Sequence, residues 1–534
     1  MKTLKYILLS TVLTGFVACS SDDDSSSMNE PLPALTAGEA DFSNYVAVGA
    51  SFSAGFTDNA LFIAGQQNSF PNMLSQKFAM LGGGSFNQPL MNDNIGGFLV
   101  GGMLAAAPRL YFNGEGPVVL PATPTTEITT PVTGPFNNYG IPGMKSFHMG
   151  IPGYGTLNPY FGRMASSASA TVLGDAASQG ATFFTLSEIG GNDVLSYATS
   201  GGTGVDQTGN MDPNTYAGND ITDPNIFAAS FSAAVDALTA NGAKGVVANV
   251  PYITSLAHFT TVPHNPLEPS NPDFGPQIPT LNMIFGALNE VYVALGQPER
   301  AIVFSETEAS AVVIRDESLA DISAQITGAL MASPTFPAFI GQFGLPPSAA
   351  PLVAGLLGQT YGQTRQATAE DLFVLPSSSV IGTVNEDYAT ALVGQGLPPT
   401  LAGQFAIEGI TLPLEDKWVL IPSEQQLIMT ATDAYNNTIQ SVADANGLAL
   451  VDFKGILQEA STTGISSGDF TLNTSLVTGG LISLDGVHLT ARGYAVMANE
   501  MMKAIDVTYG SNFEASGNLL NAGNYPTNYP PSLQ

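Results

Sequence analysis

The chain has one cysteine among 534 residues. No disulfide can therefore form within it, and Cys19 needs another explanation. Positive charge is equally scarce. Only 14 lysines and arginines stand against 44 aspartates and glutamates, a formal net charge of −30, which argues against nucleic acid as a partner. Histidine occurs four times, and His148, His258 and His264 have no carboxylate or cysteine around them at ligand spacing, so no metal site is expected. Long apolar runs are missing too. The longest, at the N-terminus, falls short of the roughly 20 residues that span a bilayer, so no transmembrane helix is expected in the mature protein. There is no repeat array. What the chain has in quantity is apolar side chain, 44% against 11% charged, with 57 glycines and 36 prolines: a large core joined by many loops.

Lys2 and Lys5 precede the apolar stretch Tyr6 to Leu13 and the small-residue run ending "GFVAC", the pattern of a secretion signal. "FVAC" resembles a bacterial lipobox, with Phe16 where Leu is usual. The resemblance implies residues 1–18 as a lipoprotein signal peptide, cleaved before Cys19, with lipid on the Cys19 sulfur. Multiple acyl chains, at about 0.8 kcal/mol per buried methylene, give stable anchoring. Residues 19–42 are polar, acidic and Pro-containing, and are expected to be a disordered tether. Its "SSDDD" resembles the acidic export signal of Bacteroidota surface lipoproteins, and it also reads as a solvated spacer. It lacks the alternating ligands and glycine of a calcium loop. The implied location is the outer membrane, lipid-anchored, facing either the cell surface or the periplasm.

Further on, helical and strand patterns alternate. Asn225 to Ile253 reads as an amphipathic helix ended by Asn241-Gly242 and a buried strand at about Val246 to Val250. Residues 281–306 repeat that order, helix and then the strand-like "AIVFSE", and Ser423 to Phe453 repeats it again. Such alternation predicts an α/β fold with a parallel sheet covered on both faces, in which ligands bind beyond the carboxyl ends of the strands.

Four loops carry chemistry-bearing residues. "YVAVGASFSAGF" (Tyr45 to Phe56) is a short strand running into small residues around Ser51, which suits a turn serine or a nucleophile. "NYGIPGMKS" sets Asn138, Gly140 and Gly143 in a tight turn. "FFTLSEIGGNDVL" is a strand over about Ala181 to Ser187 leading into Asn192-Asp193, residues that also cap helices well. "LDGVHLTARGYAVMANEMMKAI" places Asp485 three residues before His488, close enough for the carboxylate to bond one imidazole nitrogen and leave the other free as a base.

In chain order, "GASFSAG", "NYGIPG", "GGND" and "DGVHLT" resemble the four marker blocks of the SGNH hydrolases, the GDSL lipase and esterase family. The resemblance implies a flavodoxin-like three-layer α/β/α domain over 43–510 that cleaves carboxylic esters through an acyl-serine, with no cofactor. It implies Ser51 as nucleophile and oxyanion donor, Gly143 and Asn192 as further oxyanion donors, His488 as general base and Asp485 as its partner. Gly153, in a second "GIPG", is the alternative to Gly143 but lacks the Asn138 lead. Ala50 and Phe52 stand where the signature has Asp and Leu.

Such a core needs less than half of the chain, which leaves large insertions, mostly helix and loop, at about 59–137 and 315–416. The first is expected to be a helix and a long loop. The second, with short apolar helices, forms either a lid or acyl-chain pocket or a fully packed cap. Residues 511–534 are expected to wrap the surface as a C-terminal tail. Expected substrates are lipid acyl esters or acetylated glycans. Two other readings are a catalytically silent lipid- or glycan-binding surface lipoprotein, working alone or beside an outer-membrane transporter, and a purely structural lipoprotein.

Overall fold

The computed structural model describes residues 31–534, so Cys19, the signal peptide and the first part of the tether lie outside the described residues. Strand β1 (Tyr45–Gly49) is buried along its whole length, and its side chains alternate between two cores. Tyr45 and Ala47 face one core and Val46 and Val48 the other. Strands β2 (Asn138–Gly140), β3 (Phe183–Leu186), β4 (Lys244–Ala248) and β5 (Ala449–Val451) complete a five-stranded sheet. Its order is β2-β1-β3-β4-β5 and every pair is parallel. This is the 2-1-3-4-5 order of doubly wound sheets, with its switch point beside β1.

The main helices are α1 (Ser51–Ala54), α2 (Phe70–Ala79), α3 (Gly191–Thr199), α4 (Pro224–Thr239), α5 (Ile278–Ala294), α6 (Ser323–Ala332), α7 (Ala350–Tyr361), α8 (Pro422–Asn446), α9 (Phe453–Thr462) and α10 (Ala491–Tyr509). Phe70, Leu74 and Phe78 of α2 and Met501, Met502 and Ile505 of α10 cover one face of the sheet. Phe227 and Phe231 of α4 with Tyr435 and Ile439 of α8 cover the other. The result is an α/β domain with helices on both sides. Helix α4 starts where expected because Asp223 caps it, accepting the Asn225 and Ile226 N–H groups at 2.7 and 3.2 Å, with Pro224 in the first turn.

Several expectations need correction. Strand β4 ends at Ala248 and not at Val250, whose N–H leaves the sheet and donates to Asn436 Oδ1 at 2.8 Å. "AIVFSE" does not form a strand. Its extended backbone is held by two asparagines of α5: Asn289 bonds both polar groups of Ile302 and Asn282 both of Phe304, at 2.8–2.9 Å. Side-chain amides thus substitute for a neighbouring strand.

The 59–137 insertion contains α2 but also two β-hairpins, Phe98–Val100 with Met103–Ala106 and Leu110–Phe112 with Pro117–Val119. Part of the tether expected over 19–42 is docked: Phe42 is buried against Phe78, and the Glu39 N–H donates to the Tyr509 carbonyl. The tail is anchored as well as wrapped. The buried Arg109 guanidinium donates to the carbonyls of Tyr529, Pro530 and Leu533.

Residues 315–416 belong to a second hydrophobic core that runs from Val262 to Ile421 and includes α5, with α6 packed on α7. Trp418 touches both this core and that of the sheet. Among the described residues, no helix is long and apolar enough to cross a membrane.

Candidate active site

Ser51 opens the one-turn helix α1 immediately after β1, at the carboxyl edge of the sheet and at its switch point. At the first helical position its backbone N–H has no partner within the helix. Ala50 precedes it and offers no side chain to cap the turn. A residue of the neighbouring strand end does so instead. Glu188 Oε1 accepts the N–H groups of Ala50 and Ser53 at 2.7 and 2.8 Å, one on each side of the serine. Glu188 itself sits at φ +50°, and its Oε2 is buried without a partner among the described residues. Burial pushes its carboxyl up to about 7, against the pull of the two N–H donors. No motif in the sequence singles out Glu188. Its only local signal is an acidic residue at a strand end, directly before "IGGND".

The structure brings Ser51, His488 and Asp485 into one hydrogen-bonded chain. Ser51 Oγ lies 2.9 Å from His488 Nε2, and His488 Nδ1 lies 2.9 Å from Asp485 Oδ2. An ionised carboxylate can only accept, so Nδ1 carries the ring proton and Nε2 is left to accept from the serine hydroxyl. Asp485 is held by more than the histidine. Its Oδ1 accepts the N–H groups of Val487 and His488 at 2.8 Å, and its Oδ2 accepts that of Asn59 at 2.8 Å. Burial alone would raise this carboxyl, but the His488 contact and these donors together hold it well below the usual carboxylate range. The Asn59 donor comes from a tight turn over Thr57–Ala60 with reciprocal backbone bonds of 3.1 and 3.0 Å and φ of +51° and +63° at Asp58 and Asn59. Asp and Asn are the side chains that best tolerate that left-handed geometry. Phe52 and Phe56 flank the imidazole, with ring centres 5.4 and 4.6 Å away.

The expected oxyanion donors lie beside this chain. Gly143 follows β2 on an exposed turn at φ +77°, and its N–H donates to no protein group among the described residues. Gly153 differs: its N–H is committed to the Ala170 carbonyl at 3.0 Å, which favours Gly143. Gly140 is required for a separate reason, since a Cβ there would stand 2.2 Å from the Ala54 nitrogen of the nucleophile helix. Asn192, in the first turn of α3, donates one amide hydrogen to the Met144 carbonyl at 3.0 Å, which orients the amide and leaves its second hydrogen available. Asp193 does not cap α3. It is buried and accepts both the N–H and the hydroxyl of Ser146, at 2.9 and 2.7 Å, tying the Gly143 loop to α3.

Two cavities meet here. A cleft of about 850 Å³ is lined by Gly143, Asn192, Asp485 and His488, with His148 and Tyr216 on its outer wall. A narrower apolar cavity of about 120 Å³ is lined by Ser51 and Asn192 and by side chains of α9 and α10. No residue between 259 and 452 lines either, and the apolar side chains of the 315–416 insertion pack into the second hydrophobic core.

The other histidines serve the scaffold. His148 Nδ1 accepts the Lys145 N–H at 3.1 Å, and burial, then the nearby Lys145 charge, lowers its pKa to about 4. The His258 N–H donates to the Gly486 carbonyl at 2.9 Å, bracing the Asp485 loop from behind. One acidic group, Glu317, Asp416 and Glu424, brings carboxylate oxygens within 4.8 Å of one another, remote in sequence from the residues that line either cavity. Burial and mutual repulsion raise the Asp416 and Glu424 carboxyls, so protons can hold the cluster together. No protein-family model, curated protein or solved structure matches the chain, and its chemistry has to be read from the site itself.

Proposed function

We propose that the protein is a serine-dependent hydrolase of carboxylic esters, resembling the SGNH hydrolases, and that it is carried to the outer membrane by lipid on Cys19. The observation that carries the activity is the Ser51–His488–Asp485 chain, each link 2.9 Å, with Gly143 and Asn192 beside it. A turn serine would have no need of this arrangement.

In acylation, Ser51 Oγ attacks the ester carbonyl while its proton passes to His488 Nε2. The carbonyl oxygen becomes an oxyanion, and the N–H groups of Ser51 and Gly143 and the Asn192 amide stabilise it. The C–O bond to the alcohol breaks as Nε2 returns the proton to the departing oxygen. In deacylation, water gives a proton to Nε2 and its oxygen attacks the acyl-serine. The new tetrahedral centre expels Oγ, which recovers the proton, and the acid is released. Asp485 remains ionised throughout, fixing the tautomer and balancing the imidazolium, as its strongly lowered pKa allows. All of these roles are filled by side-chain and backbone groups of this chain.

The test is hydrolysis of a panel of p-nitrophenyl esters by the purified protein. The proposal expects turnover that Ser51→Ala and His488→Ala each abolish. Absence of turnover on every ester by folded wild-type protein, or turnover that survives Ser51→Ala, contradicts it.

A further inference from the structure

The two cavities that meet at Ser51 differ in chemistry. They also stand on different sides of the reacting groups. The apolar cavity is lined by Ser51 but not by His488, whereas the large cleft is lined by His488 but not by Ser51. Asn192, Leu195 and Val487 line both and mark the junction. In ester cleavage the alcohol departs towards the group that protonates it, so the leaving half lies on the imidazole side. The acyl half must then lie on the other side of the serine.

From this geometry we infer that the apolar cavity is an acyl-chain site, and that the substrate is an ester of an apolar acyl chain of several carbons, the size a cavity of about 120 Å³ admits, with a polar alcohol seated in the cleft. The inference rests on the hydrolase reading above and assigns the two halves of its substrate. The walls of the acyl site are Val250 from the loop after β4, Phe453, Ile456 and Leu457 of α9, and Val496 and Met497 of α10. Val250 points there because β4 ends two residues earlier and the chain turns over the sheet edge. Polar lining residues are few: Ser51 and Asn192, which act on the carbonyl, Asn249, and Glu188, whose Oε1 is held by the N–H groups of Ala50 and Ser53. The cleft wall is different. Lys145, Asn214, Tyr216 and His148 stand along it, polar side chains against which a second alkyl chain would pack poorly.

An acetyl group would leave this cavity empty, whereas an apolar chain would fill it against a lining that is apolar apart from Ser51, Glu188, Asn192 and Asn249. Each methylene moved from water into such a site is worth about 0.8 kcal/mol, or about fourfold in kcat/KM. The experiment therefore compares p-nitrophenyl acetate, butyrate, octanoate and dodecanoate, with two variants outside the catalytic groups. Ile456→Trp fills the cavity and Phe453→Ala widens it, and both positions are half-buried. The expected result is kcat/KM rising about fourfold per methylene until the site is full. Ile456→Trp should then lower the octanoate-to-acetate ratio of kcat/KM at least tenfold, and Phe453→Ala should move the optimum to longer chains.

A flat or acetate-favouring series, or variants that alter all esters equally, overturns the acyl site and leaves the hydrolase reading standing. Displacement of a fluorescent fatty acid by dodecanoate from the Ser51→Ala protein separates the two claims. If no ester is hydrolysed but dodecanoate binds and Ile456→Trp weakens it, the hydrolase reading falls and the site stands. If dodecanoate does not bind, the site falls.

Discussion

His488 Nε2 and Ser51 Oγ are separated by 437 residues of chain and by 2.9 Å in space. The pair predicts strongly non-additive variants. Ser51→Ala and His488→Ala should each lower kcat by about 10⁶, and the double variant should be no worse, because the two groups act in one proton transfer. Asp485→Asn should cost about 10⁴ by favouring the wrong tautomer. Steady-state ester hydrolysis checks all three.

Asn192 is half-buried and already oriented by the Met144 carbonyl, so its contribution should fall on the transition state and not on substrate binding. Asn192→Ala is expected to lower kcat by about 10²–10³ with KM within a few fold. A rise in KM at constant kcat would instead make it a substrate-binding residue.

Glu188 is a positioning residue, since it touches the backbone on both sides of the nucleophile. Both bonds go to the same oxygen, so Glu188→Gln can keep them, and its kcat should stay within a few fold of wild type. Glu188→Ala should lose kcat by tenfold or more.

The same carboxyl makes stability pH-dependent. Its folded pKa of about 7 stands above the roughly 4.3 of an unfolded glutamate, so the folded state binds the extra proton. Stability should fall as pH rises from about 4.3 to about 7 and level off above. Asp58, also raised to about 7 by burial and by its neighbour Asp485, acts in the same sense. Glu188→Gln should reduce the slope in that window by up to one proton, about 1.4 kcal/mol per pH unit, as read by urea unfolding at several pH values.

Arg109 is wholly buried and donates to five backbone carbonyls, those of Asn94, Leu110, Tyr529, Pro530 and Leu533. Arg109→Met keeps much of the bulk and removes a charged donor from all five carbonyls. It should cost at least about 3 kcal/mol and open the 511–534 tail to proteolysis. Urea midpoints and mass mapping of the first cleavage site would measure both effects.

Ser51, Gly143, Asn192, Asp485 and His488 could be singled out from sequence because their four blocks, in chain order, resemble the SGNH markers; only the Asp485–His488 spacing carries its own geometry. Asp485 and His488 share one turn, and Ser51 opens a one-turn helix two residues after a strand. Glu188 and Asn59 could not be found that way, since what they do depends on which strand end or turn the fold sets beside them. "AIVF" has the composition of a buried strand, and only the asparagines seven residues apart on α5 explain why it lies outside the sheet. The hairpin turn at Gly101-Gly102 did leave a local trace, two positive-φ glycines between apolar runs. The apolar cavity is the least legible feature, because five separate stretches of chain build it.

The central claim is that Ser51 is an activated nucleophile, and fluorophosphonate labelling with peptide mass mapping tests it most directly. The account predicts one stoichiometric adduct on the peptide carrying Ser51, absent in Ser51→Ala and lost or greatly slowed in His488→Ala. A folded wild-type protein that takes up no label, or labels at another residue, would contradict it.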